Sequence, residues 1–400
     1  MRNSVRNTLL TAALIVLIIT ASNAQGLFAK FVESYNTKDY KTCVESGKQL
    51  TSQYDHPGLS IQLAECHCGL REFKEASEVI KQLATKGVVY NLDTLKTFRE
   101  LMSSEFAVHI PQPASVTTTT AFSIQDLKFV PEGIAYDGST KRFFVGSLAQ
   151  NRIVAVDKNG KESDFFIPPN SECWQFVGIK IFGNQLWACA FSEYTKNSGQ
   201  SAVFNIDTKT GKLNDAFYLR EGVHLLNDLV KGPGGEMYIT DSKAGLVYEL
   251  KDGVFKPITG NSFIYPNGIA INNTGDKLFI ADWKGISVLD LKTDSLAKLE
   301  TAVSVNSIDG LYWYNGDLIA IQGLKYLDRV ARISLKDGKA TGITELARLS
   351  GPGFPTTGVI VNDSFYFISN AFVTSVKADG VIANPEALRK SEIKQLSLGR

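Results

Sequence analysis

The stretch PNGIAINNTGDKLFIADW, residues 266–283, contains the pattern on which the fold prediction depends. Two apolar runs, 269–271 and 278–281, flank a polar turn at 272–276. Short apolar runs separated by Asn, Gly and Asp are typical of a β-hairpin. Asn267 stands directly before the first run. Since Asn and Gly are also common turn residues, Asn267 has two interpretations, a turn residue or a side chain directed at a ligand.

The hairpin pattern occurs six times after residue 120. The stretches are PEGIAYDGSTKRFFVGS, FVGIKIFGNQLWACA, LNDLVKGPGGEMYITDS, PNGIAINNTGDKLFIADW, IDGLYWYNGDLIAIQ and TTGVIVNDSFYFISN. Most are followed by a third apolar strand, and the repeat is 40 to 50 residues long. Units of this length with three or four short strands predict an all-β six-bladed β-propeller over residues 121–400. We expect a strand at 117–120 to pair into the last blade and close the ring.

One aligned position in each repeat precedes a Gly or Asp and should lie at the mouth of the central channel, which the first strand of each blade lines. The six residues at this position are Glu132, Val177, Asn227, Asn267, Asp309 and Thr357. Two carboxylates and two amides form a hard oxygen set that suits a divalent cation, calcium first, with magnesium, manganese or zinc as alternatives. Turn chemistry explains Asn267 alone, but Glu132 is no turn former, so the set as a whole predicts a metal site.

This constellation resembles the SMP-30/gluconolactonase-like family, which is similar to diisopropylfluorophosphatase and paraoxonase. The shared pattern is Glu in PEG, Asn in the third blade, Asn in PNG and Asp in DG. The resemblance covers residues 115–380 and implies that Asp228 either supports Asn227 or binds a deeper structural ion. The chain departs from the family at Leu225, where sugar-lactone members carry Arg, and it has no His after residue 224.

The resemblance implies a metal-dependent hydrolase, most simply a lactonase or esterase with a small-molecule substrate. The ion would polarise the substrate carbonyl, and Asp309 or His224 would activate the water or attack directly. His224 has a second interpretation as a loop residue without a catalytic role. The competing function is a non-catalytic binding or scaffold protein whose ion only stabilises the propeller.

The N-terminal part of the chain differs from the rest. Residues 1–24 combine Arg2 and Arg6 with a twelve-residue apolar run and the small residues SNA, which predicts a signal peptide and a secreted or periplasmic protein. Residues 25–105 are helical in pattern, and KDYKTC recurs as REFKEA 33 residues later. This spacing resembles the tetratricopeptide repeat, which implies a protein or peptide partner. We expect LDTLKTFRELM, 92–102, to form a capping helix, and 106–120 to be a linker between two separate cores.

Composition excludes some classes of partner. The 400 residues include 42 Lys and Arg against 41 Asp and Glu, a formal net charge of +1. Without a basic surplus, a nucleic-acid partner is disfavoured, and no charged run indicates a membrane surface after signal cleavage. Export permits disulfides among the five cysteines, although an odd number leaves one thiol unpaired. Cys66-His67-Cys68 also resembles half of a zinc site whose other half is missing.

Overall fold

The computed structural model describes residues 22–113, 117–169, 174–192, 199–260, 263–349, 351–376 and 381–399. The predicted signal peptide lies almost wholly outside the described residues, as does Cys173. Within the described ranges, no helix is both long enough and apolar enough to cross a membrane.

Six antiparallel four-stranded sheets confirm the predicted six-bladed propeller. The first three blades contain β2 (Pro131–Asp137), β3 (Arg142–Ser147), β4 (Ile153–Val156) and β5 (Glu162–Phe166); β6 (Gln175–Phe182), β7 (Gln185–Ser192), β8 (Gln200–Asp207) and β9 (Leu213–Leu219); and β10 (Leu226–Lys231), β11 (Met237–Asp241), β12 (Leu246–Lys251) and β13 (Val254–Pro257). The next two contain β14 (Ile269–Ile271), β15 (Lys277–Asp282), β16 (Gly285–Asp290) and β17 (Ser295–Lys298); and β18 (Ile308–Tyr314), β19 (Asp317–Leu324), β20 (Leu327–Lys336) and β21 (Lys339–Leu349). Apolar side chains fill the space between neighbouring blades, as where Phe144 of the first blade packs with Phe176 and Phe204 of the second.

The sixth blade is built from both ends of the propeller sequence. It contains β22 (Gly358–Val361), β23 (Ser364–Ile368), β24 (Ser391–Ser397) and, as its outermost strand, β1 (Thr119–Ile124). Thr119 pairs with Gln395 and Ile124 with Ser391. The predicted ring closure is therefore confirmed, and it removes the open sheet edge that an unclosed ring would present.

The N-terminal region consists of four helices in sequence-adjacent packing, α1 (Ser22–Thr37), α2 (Tyr40–Gln53), α3 (Pro57–Gly69) and α4 (Phe73–Thr85). The two repeat copies adopt the same turn, since Lys38 and Arg71 both have φ of 62° just before α2 and α4. The repeat is thus visible in the backbone, while its tetratricopeptide character stays a prediction. The single capping helix over 92–102 is wrong: the segment forms two 3₁₀ turns, Leu92–Thr94 and Lys96–Phe98, and one short helix, α5 (Arg99–Met102).

Cysteine pairing involves α2 and α3. Among the cysteines that the structure describes, Cys43 of α2 forms a disulfide with Cys66 of α3, and Cys68 and Cys189 are free thiols. His67 is buried and its Nδ1 lies 2.6 Å from Glu72 Oε2. Because Cys66 is in a disulfide and His67 pairs with Glu72, the half-site interpretation of Cys66-His67-Cys68 has no support.

The helical region docks on the propeller, so the expectation of two separate cores is wrong. Leu324 and Leu327 of the fifth blade belong to the same apolar cluster as Ile61 and Phe98 of the helical region. Polar contacts add to this docking, because Lys325 Nζ lies 2.6 Å from Glu65 Oε2 and the Arg329 guanidinium donates to the Gly87 carbonyl.

Strand direction shows which end of the propeller the helices cover. In the fifth blade Ile308 pairs with Gln322 and Leu324 pairs with Leu327, so the turn at Lys325 lies at the end where β18 begins. By the same antiparallel alternation, the turn after Asp282 lies at the end where β14 begins. The helices therefore cover the ends of the fourth and fifth blades that carry the aligned residues.

Candidate functional site

The aligned residues sit at a repeated backbone irregularity. In β2 the strand register shifts between Pro131 and Ile134, and equivalent shifts occur at the start of β6, β10 and β18. A β-bulge places a residue outside the ladder and redirects its side chain. Glu132, Asn227 and Asp309 each fall inside such a bulge, and Asn267 stands just before β14.

The six aligned positions form a ring around the channel, and close contacts join several neighbouring positions of this ring. A side-chain carbon on Gly133 would fall against the Val177 carbonyl, one on Gly178 would meet Asn227, and one on Gly268 would lie 2.5 Å from the Asp309 carbonyl. These glycines are required for close approach of neighbouring first strands.

The contact between the last and first blades completes the ring. The Thr357 hydroxyl donates to the backbone carbonyl of Glu132. None of Gly133, Gly178 or Gly268 has positive φ, so simple turn chemistry does not explain the repeated glycine.

The four predicted ligand residues present buried oxygens to this ring. Glu132 Oε2, Asn227 Oδ1, Asn267 Oδ1 and Asp309 Oδ1 are all buried and have no hydrogen-bond partner among the described residues. The Asn227 amide is oriented by its nitrogen, which donates to Ser242 Oγ at 2.9 Å and leaves the oxygen free. Buried acceptors are normally paired, so four unpaired oxygens on one ring suit a cation.

The carboxylates on the ring are electrostatically crowded. Burial raises the pKa of Glu132 well above its usual range, and the charges of Asp309 and Asp228 raise it further. Burial also raises the pKa of Asp309 to about 7, although a hydrogen bond from Asn267 opposes the change. Glu132 is almost fully buried, whereas Asp309 is partly exposed as a residue even though its Oδ1 is covered. Asp309 is therefore the less deeply buried of the two residues, although its carboxyl group is covered.

Asp228 lies beside Asn227 and pairs with a cation that the sequence reasoning missed. Lys180 Nζ, on β6, lies 2.7 Å from Asp228 Oδ1. Asp228 is 1% exposed and its Oδ2 has no partner. Lys180 thus compensates one of the three carboxylates near the channel and leaves Glu132 and Asp309 uncompensated.

His224 is held on both ring nitrogens. Its Nδ1 lies 2.6 Å from Asp241 Oδ2 and its Nε2 lies near the Glu221 carbonyl. Asp241 and the Glu221 carbonyl together raise the pKa of His224 against the opposing effect of burial. A ring that donates from both nitrogens has no free lone pair with which to accept a proton, so this geometry argues against the predicted role of His224 as a general base.

The donor set decides which metal the ring could hold. Over the described ranges, no group of three or more His, Cys, Asp or Glu side chains is arranged to bind a metal. The ring reaches four oxygens only because two amides are included. Carboxylate and amide oxygens without sulfur or imidazole match calcium or magnesium better than zinc or copper.

Lys180 and the bulges were absent from the sequence prediction. Lys180 lies three residues after the aligned Val177, so a search along the first strands for charged residues would have found it. The bulges leave no comparable signal, since they depend on how neighbouring first strands meet.

Among the comparisons with known proteins, the similarity to a solved gluconolactonase supports the fold. No family model matches this chain, and no curated protein is similar to it in sequence. A gluconolactonase from Xanthomonas campestris is similar in structure at 16% identity with a TM-score of 0.51, covering 72% of this chain and 96% of that chain. The PQQ-bound aldose sugar dehydrogenase of Streptomyces coelicolor, at 13% identity and a TM-score of 0.48, covers 71% of this chain and 99% of that chain. An inactive virginiamycin B lyase from Staphylococcus aureus, solved with quinupristin, has 14% identity and a TM-score of 0.49 and covers 71% of this chain and 100% of that chain.

Proposed function

We propose that the protein is an exported, metal-dependent hydrolase of lactones or esters whose propeller channel holds one divalent cation, calcium first. The ligands would be Glu132, Asn227, Asn267 and Asp309. The observation that carries the proposal is the set of four buried ring oxygens without a hydrogen-bond donor. Leaving a buried acceptor unpaired costs free energy, and a cation satisfies several oxygens at once.

The charge of the ring supports the same cation. Lys180 pairs with Asp228, so the formal charge left on the ring is that of Glu132 and Asp309. Burial and mutual repulsion favour the protonated forms of these carboxyls, and a dication would keep both ionised. Calcium accepts irregular sets of carboxylate and amide oxygens, whereas magnesium demands a nearly ideal octahedron.

The chemistry divides between the cation and the chain. A cation bound on the ring would polarise a substrate carbonyl and stabilise negative charge on its oxygen. Asp309 is the less deeply buried of the two acidic residues, and we propose that its carboxylate accepts a proton from the attacking water. Glu132 is fixed through its own backbone by Thr357, and Asn227 is oriented by Ser242, so neither needs to reorganise. His224 receives no catalytic role because both of its nitrogens are engaged.

The other parts of the proposal rest on separate support. The preference for lactones comes from the resemblance of the four-residue pattern, since the solved gluconolactonase at 16% identity supports only the fold. Export rests on the sequence of residues 1–24 and is consistent with the Cys43–Cys66 disulfide. A partner for the helical repeats stays a proposal without a mapped surface.

The test compares Glu132→Gln with a matched control, Glu105→Gln. Glu105 is exposed and lies in the helical region, so it reports on loss of a carboxylate away from the ring. We expect Glu132→Gln to lower calcium affinity and the hydrolysis of a panel of lactones and aryl esters by about tenfold or more, and Glu105→Gln to change neither. Hydrolysis that survives both chelation and Glu132→Gln would contradict a metal-dependent reaction. Tight calcium binding with no hydrolysis of any panel member would favour the non-catalytic alternative.

A further inference from the structure

The helical region touches both loops that lead to the partly buried residues Asn267 and Asp309. One residue, His56, which precedes α3, contacts both loops. His56 is 8% exposed, its Nε2 lies 3.0 Å from Ser307 Oγ, and its ring stacks on Trp283 at 4.6 Å between centroids. A single side chain from the helical region is thus placed between the fourth and fifth blades.

Ser307 connects His56 to Asp309. Ser307 stands two residues before Asp309. The same loop is held at Ser304, whose N–H donates to the Lys86 carbonyl at 2.9 Å. Contacts from the helical region therefore fix the loop that directly precedes Asp309.

Trp283 connects His56 to Asn267. The backbone N–H of Trp283 donates to the Ile264 carbonyl at 2.9 Å, three residues before Asn267. Asp282 Oδ2 accepts from the Ile264 N–H at 2.9 Å and ties the same two segments together. The His56 imidazole, which packs on Trp283, therefore restrains the segment that carries Asn267.

The protonation state of His56 makes its ring a hydrogen-bond donor to Ser307. Its Nδ1 accepts from the Gly58 N–H at 3.1 Å, so the neutral ring carries its proton on Nε2 and donates it to Ser307. Burial lowers the pKa of His56 to about 4, which keeps the ring neutral over the physiological range.

We propose that His56 is a positioning residue for the ring, which holds the loops of Asn267 and Asp309 through Trp283 and Ser307 and makes the helical region part of the site. The proposal rests on the proposed metal function for its meaning, but the contacts that carry it are independent of any ion. It gives the helical region over 25–105 a role at the channel mouth, while a partner for the helical repeats stays a separate proposal.

The test uses His56→Phe on the full chain. Phe keeps a ring against Trp283 but removes the donor to Ser307 and the acceptor for Gly58. The matched control is Tyr326→Phe, which removes the hydrogen bond to Glu65 Oε1 at the same interface without touching either ligand loop. His56→Gln restores an N–H donor and serves as the rescue variant.

Two readouts separate this proposal from the proposed function. Hydrogen–deuterium exchange of the metal-free protein reports directly on residues 303–311, and calorimetric titration with calcium chloride reports on the ring. We expect His56→Phe to speed exchange in 303–311 and weaken calcium binding about fivefold, with partial recovery in His56→Gln and no change in either readout for Tyr326→Phe. If His56→Phe does not fold, Ser307→Ala removes the same hydrogen bond from the propeller side and should give the same two changes.

The outcomes are distinct. Unchanged exchange and unchanged calcium affinity in His56→Phe would overturn the positioning role, as would equal loosening of 303–311 by Tyr326→Phe. A wild-type protein that binds no calcium, magnesium or manganese, while His56→Phe still loosens the loop, would overturn the proposed function and uphold the positioning role.

Discussion

Replacing Lys180 with Met should leave Asp228 as a buried, unpaired carboxylate. The Lys180 ammonium lies 2.7 Å from Asp228 Oδ1, and the Asp228 side chain is 2% exposed. Removing one partner of a buried ion pair typically costs about 3–5 kcal/mol, because the remaining charge has lost its compensation. Met preserves most of the volume of the Lys stem, so we assign the loss to charge rather than to a cavity. The metal-free variant should therefore lose about 3–5 kcal/mol of unfolding free energy.

The assay is urea unfolding of chelator-treated protein, with the double variant Lys180→Met, Asp228→Asn as the matched control. Removing both charges of this pair leaves no unpaired charge at position 228, so the double variant should be much closer to wild type than Lys180→Met alone. The urea dependence of the unfolding free energy should stay constant among the three proteins, since none of them changes the surface that unfolding exposes.

Calcium gives the prediction a second arm. In Lys180→Met the channel carries three uncompensated carboxylates, so calcium should stabilise this variant more than it stabilises wild type. A metal-free Lys180→Met protein as stable as wild type would refute the charge assignment. A double variant that is as unstable as Lys180→Met would also refute it, because the damage would then come from packing.

Three further predictions concern the ring and its surroundings. Asn267→Asp adds a charge to the ring, so it should keep or tighten calcium binding yet lower lactone hydrolysis. Intact hydrolysis with tighter calcium binding would instead indicate a structural ion. No change in either hydrolysis or calcium binding would indicate that Asn267 is only a turn residue. His224→Gln should leave hydrolysis near the wild-type rate and lower thermal stability, because the ring nitrogens are bound to Asp241 and the Glu221 carbonyl; a large loss of turnover at constant stability would contradict this. The pKa of Asp309 is raised from 3.8 to about 7 in the metal-free fold, so the native state binds more protons than the unfolded state between these two pH values. The unfolding free energy should therefore fall as pH rises from about 4 to about 7. Calcium should abolish this pH dependence, and an unfolding free energy that does not change with pH in the absence of calcium would contradict the raised pKa.

The propeller could be predicted because its signal is repeated. Six hairpins at a spacing of 40 to 50 residues reinforce one another, and the position of Glu132 in the first repeat fixes the positions of Asn227, Asn267 and Asp309 in the others. Even the closing strand could be anticipated, since a β-branched run before the first repeat has no other sheet to join. Repetition converts weak dipeptide signals such as Asn-Gly into a single strong pattern.

The docking of the helices could not be predicted in this way. Leu324 and Leu327 lie in a hairpin whose sequence is ordinary for a blade, and Lys325 and Glu65 are 260 residues apart in the chain. Contacts between elements this distant depend on the placement of whole domains, about which local periodicity carries no information. The same limit explains why two separate cores were wrongly expected and why the contacts of His56 with the propeller were not predicted.

His224 shows a different limit. Its spacing from Asn227 predicts a position near the channel mouth, but spacing does not reveal which atoms face the two ring nitrogens. Asp241 is a distant residue in the next strand, and the Glu221 carbonyl is a backbone group. These two hydrogen-bond partners of His224 can be identified only from the three-dimensional structure.

The central claim is that one divalent cation binds on the ring of Glu132, Asn227, Asn267 and Asp309. The most direct measurement is calorimetric titration of calcium into chelator-treated, dialysed wild type and into the double variant Glu132→Gln, Asp309→Asn. The account predicts one equivalent in the wild type and no detectable binding in the double variant, because that variant keeps oxygens on the ring but loses both uncompensated charges. One equivalent of calcium bound with unchanged affinity by the double variant would contradict it.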